Sequence, residues 1–355
     1  MPVFTTACPR NCYSTCGMRV HVEQGEIRRI EPHTGNRATP EGVCLKGLSY
    51  VERVRSPDRI LNPLRRTARG SFEPVSWEDA LGLVVANLRR IREESGPQSV
   101  LYYAASGTKG LLNGVGASFW RLYGGCTTTY GDLCWPAGLE ATRLTLGDNR
   151  NSAPWDIANA KLIVLWGKNP AETNIHQMPF VQQARESGAR VVVIDPRRTE
   201  TSESADLWIR PRPGTDGALA LAVAHEVIRR GGVDLAFVRD RVHGYDEFAA
   251  LVGDCTPDWA AAIAEIPVEQ IRALGELFAD ARPATISAGF GMQRYTNSGQ
   301  AMRAILARNA PSLRCSKRCS ACSALSNVSC STSSASPGSW IEGSRRAPHN
   351  LVALG

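Results

Sequence analysis

The sequence predicts an α/β protein: a small cysteine-bearing β domain, two α/β domains with parallel sheets, and a disordered tail. Three observations carry this. Four of the 11 cysteines fall in the first 44 residues, beside short alternating runs. Between residues 76 and 307, apolar runs of strand length alternate with amphipathic helical segments, the pattern of a parallel sheet. The last 48 residues, 308–355, lose all periodicity. With 355 residues the chain is long enough for several domains, and 43% hydrophobic against 21% charged excludes disorder of the whole chain. No apolar stretch reaches the about 18 residues of a membrane span.

The elements follow in order. Met18 to Val22 alternates, Glu23-Gln24-Gly25-Glu26 turns, and Ile27 to Ile30 alternates again, which predicts a hairpin in a domain of residues 1–55. A second domain, 56–150, starts with a connector. Ser76 and Asp79 then resemble a capping box, and apolar residues at 81, 84, 85, 88 and 91 keep helical spacing until Gly96-Pro97. Ser99 to Ala104 reads as a strand entering the Ser106-Gly107 loop. A third domain, 151–307, is Rossmann-like. Its strands are Lys161 to Trp166, Arg190 to Ile194 and Ala284 to Ala288. Gly167-Lys168-Asn169-Pro170 reads as a turn, followed by a helix to about Gly188, and further helices are expected from Asp216 to Arg230 and from Val268 to Ala281. A helix starting at Gln300 stops near Ala307, where the tail begins.

The net charge of +7 is unevenly placed. The tail holds six of the 41 Lys+Arg and one of the 34 Asp+Glu, so the body is near neutral and nucleic-acid binding is not expected. No charged-then-apolar leader precedes Cys8, which predicts a cytoplasmic protein with thiolates on metal instead of disulfides.

Cys8-x3-Cys12-x3-Cys16-x27-Cys44 is the strongest chemical signal. Soft thiolates hold iron and lose their protons on binding, and three close cysteines plus one distant can close the corners of a cubane 4Fe–4S cluster. A structural zinc also accepts four cysteines, but its spacings usually come as two close pairs.

The cysteine set with Gly42-Val43-Cys44-Leu45-Lys46-Gly47 resembles the start of the molybdopterin oxidoreductases, closest to the dimethyl sulfoxide reductase branch. Further matches follow in order: Ser56-Pro57-Asp58-Arg59, Val75-Ser76-Trp77-Glu78, Tyr130-Gly131-Asp132, Trp155 to Ala160 and Gly167 to Thr173. Ile194-Asp195-Pro196-Arg197, Arg212 to Asp216 and Gly289 to Arg294 complete the set, which spans about residues 5–307. The resemblance implies a 4Fe–4S cluster on Cys8, Cys12, Cys16 and Cys44. It also implies a bis-molybdopterin guanine dinucleotide carrying molybdenum or tungsten. The activity implied is oxidoreduction of a small molecule, with an iron–sulfur electron-transfer subunit or a soluble carrier as partner.

Individual roles come with the resemblance. Cys134 occupies the slot of the metal's protein ligand, where sulfoxide reductases carry serine and formate and nitrate enzymes cysteine. Trp135 follows it where formate dehydrogenases carry histidine, so formate chemistry is less expected. Lys46 lies between cluster and pterin; a surface lysine is the ordinary reading. In Gly167-Lys168-Asn169-Pro170-x2-Thr173, glycine permits close backbone approach and a helix N-terminus offers N–H groups to pyrophosphate. Asp195 at a strand end can accept from ribose or guanine, and Arg197 can neutralise phosphate. Asp216 is either a helix N-cap or a guanine contact. Gly291 and Gln293 follow a strand end and would touch pterin or line the substrate funnel. His176 and Cys126 read as structural, and Cys255 as packing.

The tail carries twelve serines and Cys315-x3-Cys319-x2-Cys322-x7-Cys330. The resemblance stops near Arg308, so a shifted reading frame is expected rather than a second cluster. The rival function is a truncated, inactive relic that binds a cluster alone.

Overall fold

The computed structural model describes residues 1–12, 14–105, 111–131, 133–149 and 151–312. The Ser106-Gly107 loop, Asp132, and the tail cysteines Cys315, Cys319, Cys322 and Cys330 lie outside the described residues. The chain forms two compact units, Met1–Pro136 with Pro170–Phe180, and Ala137–Asn169 with the residues from Val181 on. Among the described residues no helix is long and apolar enough to cross a membrane.

The first unit opens with an antiparallel three-stranded sheet, β1 (Val3–Ala7), β2 (Gly17–Glu23) and β3 (Glu26–His33), in the order β1-β2-β3. The β2–β3 hairpin is the one the alternation predicts. Gln24 and Gly25 both take positive φ, 52° and 79°, as a two-residue turn between right-twisted strands requires. β1 has no comparable signal, because Val3 to Ala7 has no buried residue. Period-two side chains Met18 and Val20 join Cys16, Ile30 and Val43 in a small core, with Val22, Leu48 and Val51 at its margin. A second hairpin follows, β4 (Leu64–Arg66) with β5 (Phe72–Pro74).

Helix Trp77–Ser95 starts as the sequence predicts, with Ser76 Oγ accepting from Asp79 N at 3.0 Å. Its apolar face is not covered: Leu81, Val84 and Val85 are exposed. β6 (Leu101–Tyr102) and β7 (Thr127–Thr128) form a parallel pair of two residues each. The aromatic residues Phe119, Trp120 and Tyr123 stack on one helix beside them, and Tyr102 meets Trp120 at 5.6 Å.

The second unit is built on β8 (Leu162–Trp166), β9 (Arg190–Ile194), β10 (Leu207–Ile209) and β11 (Ala284–Ala288). All three pairings are parallel, in the order β10-β9-β8-β11. Continuous apolar runs make this sheet: every residue of β8 is 0% exposed, as a central strand covered on both faces demands. The four strands therefore lie in the order third, second, first, fourth. The winding reverses between β8 and β11, and that is where open α/β sheets bind ligands.

Helix Asp216–Arg229 buries Leu219, Ala220, Ala222, Val223 and Val227. Glu226 is buried on the same helix, held by Arg229 and Arg230, which keep its carboxyl at about 2. The final helix, Ser298–Ser312, runs past Ala307 through the first residues assigned to the tail. No Gly or Pro intervenes between Gly299 and Pro311 to stop it.

The helix expected after the Gly167–Pro170 turn, running to about Gly188, is broken. It becomes a single turn at Pro170–Thr173, a 3-10 turn at Ile175–Gln177, and helix Met178–Glu186. Asn174 leaves helical geometry (φ −153°, ψ 60°) because its side chain is engaged elsewhere, and Pro179 fits only a first turn.

Candidate functional site

The cysteine site is made by two chain crossings in the first unit. Cys8 leaves β1 and Cys16 enters β2, and Cys8 N donates to Cys16 O at 2.8 Å, closing the loop that carries Cys12. Cys44 caps the short helix Leu45–Leu48 in extended geometry. Gly42 delivers it: φ is +77°, and a Cβ there would lie 2.3 Å from Pro32 Cβ of β3. A Cβ on Gly47 would sit 3.3 Å from Cys8 Sγ, so this glycine lets the helix approach the sulfur.

Cys16 is buried at 5% exposure, and its thiol is pushed up to about 11. Burial is the largest cause, followed by the charges at Cys12, Cys8 and Cys44. Each of the other three thiols thus acts on the fourth. A thiol held up in this way gives up its proton when a cationic core accepts its sulfur. Among the described residues no group of three or more His, Cys, Asp or Glu side chains is already drawn together as a metal site.

Two further groups face Cys16. The Thr39 hydroxyl is fully buried, has no hydrogen-bond partner of normal geometry, and favours the ionised form of Cys16. His176 Nε2 lies 3.2 Å from Cys16 Sγ. Its ring is buried at 6%, and that burial keeps it below the ordinary histidine range, against the weaker pull of Glu41. The turn that carries His176 is pinned to the same loop, since Ser14 Oγ donates to Asn174 Oδ1 at 2.9 Å. A ring nitrogen 3.2 Å from the sulfur and a buried, unpartnered hydroxyl suit a thiolate better than a thiol, so these residues fit a cluster ligand set.

Lys46 is exposed on helix Leu45–Leu48, two residues after Cys44. Cys134 is half-buried in the turn before helix Pro136–Leu146. That turn depends on Gly131 (φ +73°), where a Cβ would meet Pro136 Cβ at 2.8 Å. Tyr130 and Leu133 on either side are exposed.

In the second unit the sheet's C-terminal edge gathers the other predicted residues. Gly167 takes φ +58° after β8, and a Cβ there would strike Met292 Cγ at 2.6 Å. Gly289 ends β11 in tight contact with the same backbone: its N donates to Trp166 O at 2.7 Å. Asn169 Oδ1 accepts from Thr201 Oγ1 at 2.5 Å. Asp195 follows β9 half-buried, and its Oδ1 accepts from Arg197 N at 2.8 Å while the Arg197 side chain is exposed.

Asp216 is not the cap. Thr215 takes that position, and Asp216 Oδ1 accepts from Trp166 Nε1 at 2.7 Å. Burial raises the Asp216 carboxyl, the Trp166 bond works against this, and the charge of Asp195 adds to the rise. Two carboxylates near one sheet edge can accept from guanine N–H and ribose hydroxyl groups. Gln293 Oε1 accepts from Gly138 N at 2.9 Å, so its amide oxygen serves the fold. Gly291 is exposed with nothing within 4 Å of a Cβ position. Pro170 and Thr173 group with the first unit instead.

Sequence reading missed three residues. His176 was assigned to structure, Thr39 carried no signal, and Trp166 read only as the end of a strand. A buried indole N–H needs an acceptor, which was the one available clue to Trp166 and Asp216.

Comparison with known proteins shows the family. The family described as "Molybdopterin oxidoreductase Fe4S4 domain" matches residues 1–56, and that described as "Molybdopterin oxidoreductase" matches 59–311. Dimethyl sulfoxide reductase DmsA of Escherichia coli (strain K12) is 35% identical over 344 residues, covering 85% of this chain and 42% of the relative. Formate dehydrogenase H of the same organism is 31% identical over 318 residues, covering 86% and 44%. The solved structure of acetylene hydratase from Pelobacter acetylenicus superposes with a TM-score of 0.71 at 27% identity, covering 87% of this chain and 43% of that one. The chain spans less than half the length of each.

Proposed function

The chain belongs to the molybdopterin oxidoreductase family, and on that premise we propose that it serves oxygen-atom transfer or dehydrogenation of a small molecule. The family carries a molybdopterin cofactor with molybdenum or tungsten, and its Fe4S4 domain a 4Fe–4S cluster. When bound, the metal and its pterins supply two-electron chemistry and the cluster a one-electron path. The observation that carries the reading is that Cys8 and Cys16 share one small core, while the helix that Cys44 caps brings Gly47 to within 3.3 Å (from a Cβ position) of Cys8 Sγ.

In this reading Cys8, Cys12, Cys16 and Cys44 hold the cluster. Asp195 and Asp216 accept from a guanine dinucleotide, one of two in a bis-molybdopterin cofactor. Gly291 leaves open space for its backbone-close approach and Gly167 holds the strand end against Met292, with Asn169, Arg197 and Gln293 as supports in the same unit and Pro170 and Thr173 contributed by the other. Cys134 supplies a thiolate to the metal, a soft ligand suited to it. Lys46 presents a cation beside the cluster helix, where it favours electron arrival. An iron–sulfur subunit or a soluble carrier takes the electrons onward.

Anaerobic purification followed by metal and nucleotide analysis tests this. Molybdenum or tungsten together with released guanine nucleotide supports the reading. Iron alone would favour the cluster-only relic instead.

A further inference from the structure

We propose that Thr39 and His176 are positioning residues of the cluster, donating two hydrogen bonds to the Cys16 thiolate and thereby raising the cluster's reduction potential. The inference rests on the cysteine set holding a cluster and goes beyond it, because neither residue is a ligand.

The geometry is specific. Cys16 is the buried member of the four, whereas Cys12 is exposed and Cys8 and Cys44 are half-buried. Both donors come from parts of the chain far from the Cys8–Cys16 loop. Thr39 is 0% exposed, and its hydroxyl has no hydrogen-bond partner in the cluster-free chain. Leaving a buried hydroxyl unpaired is costly, so a fold that keeps one is expected to offer it an acceptor. A neutral thiol is a weak acceptor; a thiolate on iron is a strong one.

The His176 contact at 3.2 Å has the same logic. Once Cys16 has given up its proton to bind iron, its sulfur can only accept. That fixes Nε2 as the protonated nitrogen of a neutral ring. Around it, Ser14 Oγ to Asn174 Oδ1 at 2.9 Å and Asn36 Nδ2 to Thr15 O at 3.1 Å anchor the two residues that lead into Cys16. The sulfur is therefore held while the donors are held.

Reduction adds negative charge to the cluster and its sulfurs. Hydrogen bonds to a ligand sulfur stabilise that charge, so they move the potential upward. The two donors act on the least solvated ligand, where water offers no substitute.

The test uses the full chain, loaded anaerobically with iron and sulfide, and reads the cluster midpoint by a redox titration followed in EPR. Thr39→Val and His176→Phe should each shift the oxidised-to-reduced ratio at fixed potential about tenfold, which is about 59 mV downward for a one-electron couple. Thr39→Ser keeps the hydroxyl and should restore the original midpoint. If His176→Phe does not load, His176→Gln, which keeps an N–H donor, should load and hold its midpoint above that of Thr39→Val. An unchanged midpoint in loaded Thr39→Val or His176→Phe, or equal shifts for Thr39→Val and Thr39→Ser, overturns the proposal while leaving the cluster assignment intact. Failure of the unchanged chain to bind a cluster overturns both.

Discussion

At the scale of single residues, neighbours decide what each cysteine or carboxylate can do. Cys12 is exposed and has no packing duty, so Cys12→Ser should remove most of the bound iron with little change in thermal stability. Iron content and the melting temperature of the metal-free chain check both halves. Cys134 sits apart from the cluster motif in sequence. Cys134→Ala should leave the cluster signal intact while molybdenum or tungsten content and turnover fall.

Asp216 gives a pH test. Its carboxyl is raised by burial, so the folded chain binds a proton more tightly than the unfolded chain. Stability should therefore fall as pH rises from the ordinary carboxylate value through the raised one. Asp216→Asn should flatten that fall and stabilise the cofactor-free chain at neutral pH, yet weaken guanine nucleotide retention. Urea unfolding between pH 3 and 8 reads the first effect. The cysteine spacing and the place of Asp195 at a strand end were legible, because both are written in residue type and pattern. Thr39 and His176 were not, because each matters only through a contact made by folding.

At the scale of elements, pattern reading worked where burial is uniform. β8 and β9 are continuous apolar runs and lie where the sequence placed them. It overreached where one residue interrupts a pattern: Asn174 and Pro179 cut the expected long helix into pieces. It was silent where a strand is exposed, as β1 is. The meeting of β8 and β11 is the most constrained join in the sheet. In Gly289→Ala the new Cβ would overlap the Gly167 carbonyl and force the two strand ends apart. We expect a loss of more than about 3 kcal/mol, with cofactor retention lost as well. Leu219→Ala, at 0% exposure, should cost about 2–5 kcal/mol, while Leu81→Lys on the exposed face of helix Trp77–Ser95 should stay within about 0.5 kcal/mol. Denaturant midpoints of the three variants rank them directly.

At the scale of the whole molecule, two compact units divide the chemistry. One carries the four cysteines with Thr39, His176, Lys46 and Cys134, and the other the sheet edge with Asp195 and Asp216. The sequence order of the motifs identified the family, but it did not show that residues 170–180 fold with the cysteine unit. That return of the chain is a long-range event, and it is what brings His176 to Cys16. The central claim is that this unit is built around a 4Fe–4S cluster. Iron, sulfide and zinc analysis of the anaerobically purified full chain, beside its Cys16→Ser variant, tests it most directly. About four iron and four sulfide per chain are expected, and their loss in the variant. One zinc per chain with no labile sulfide, or iron retained in Cys16→Ser, would contradict it.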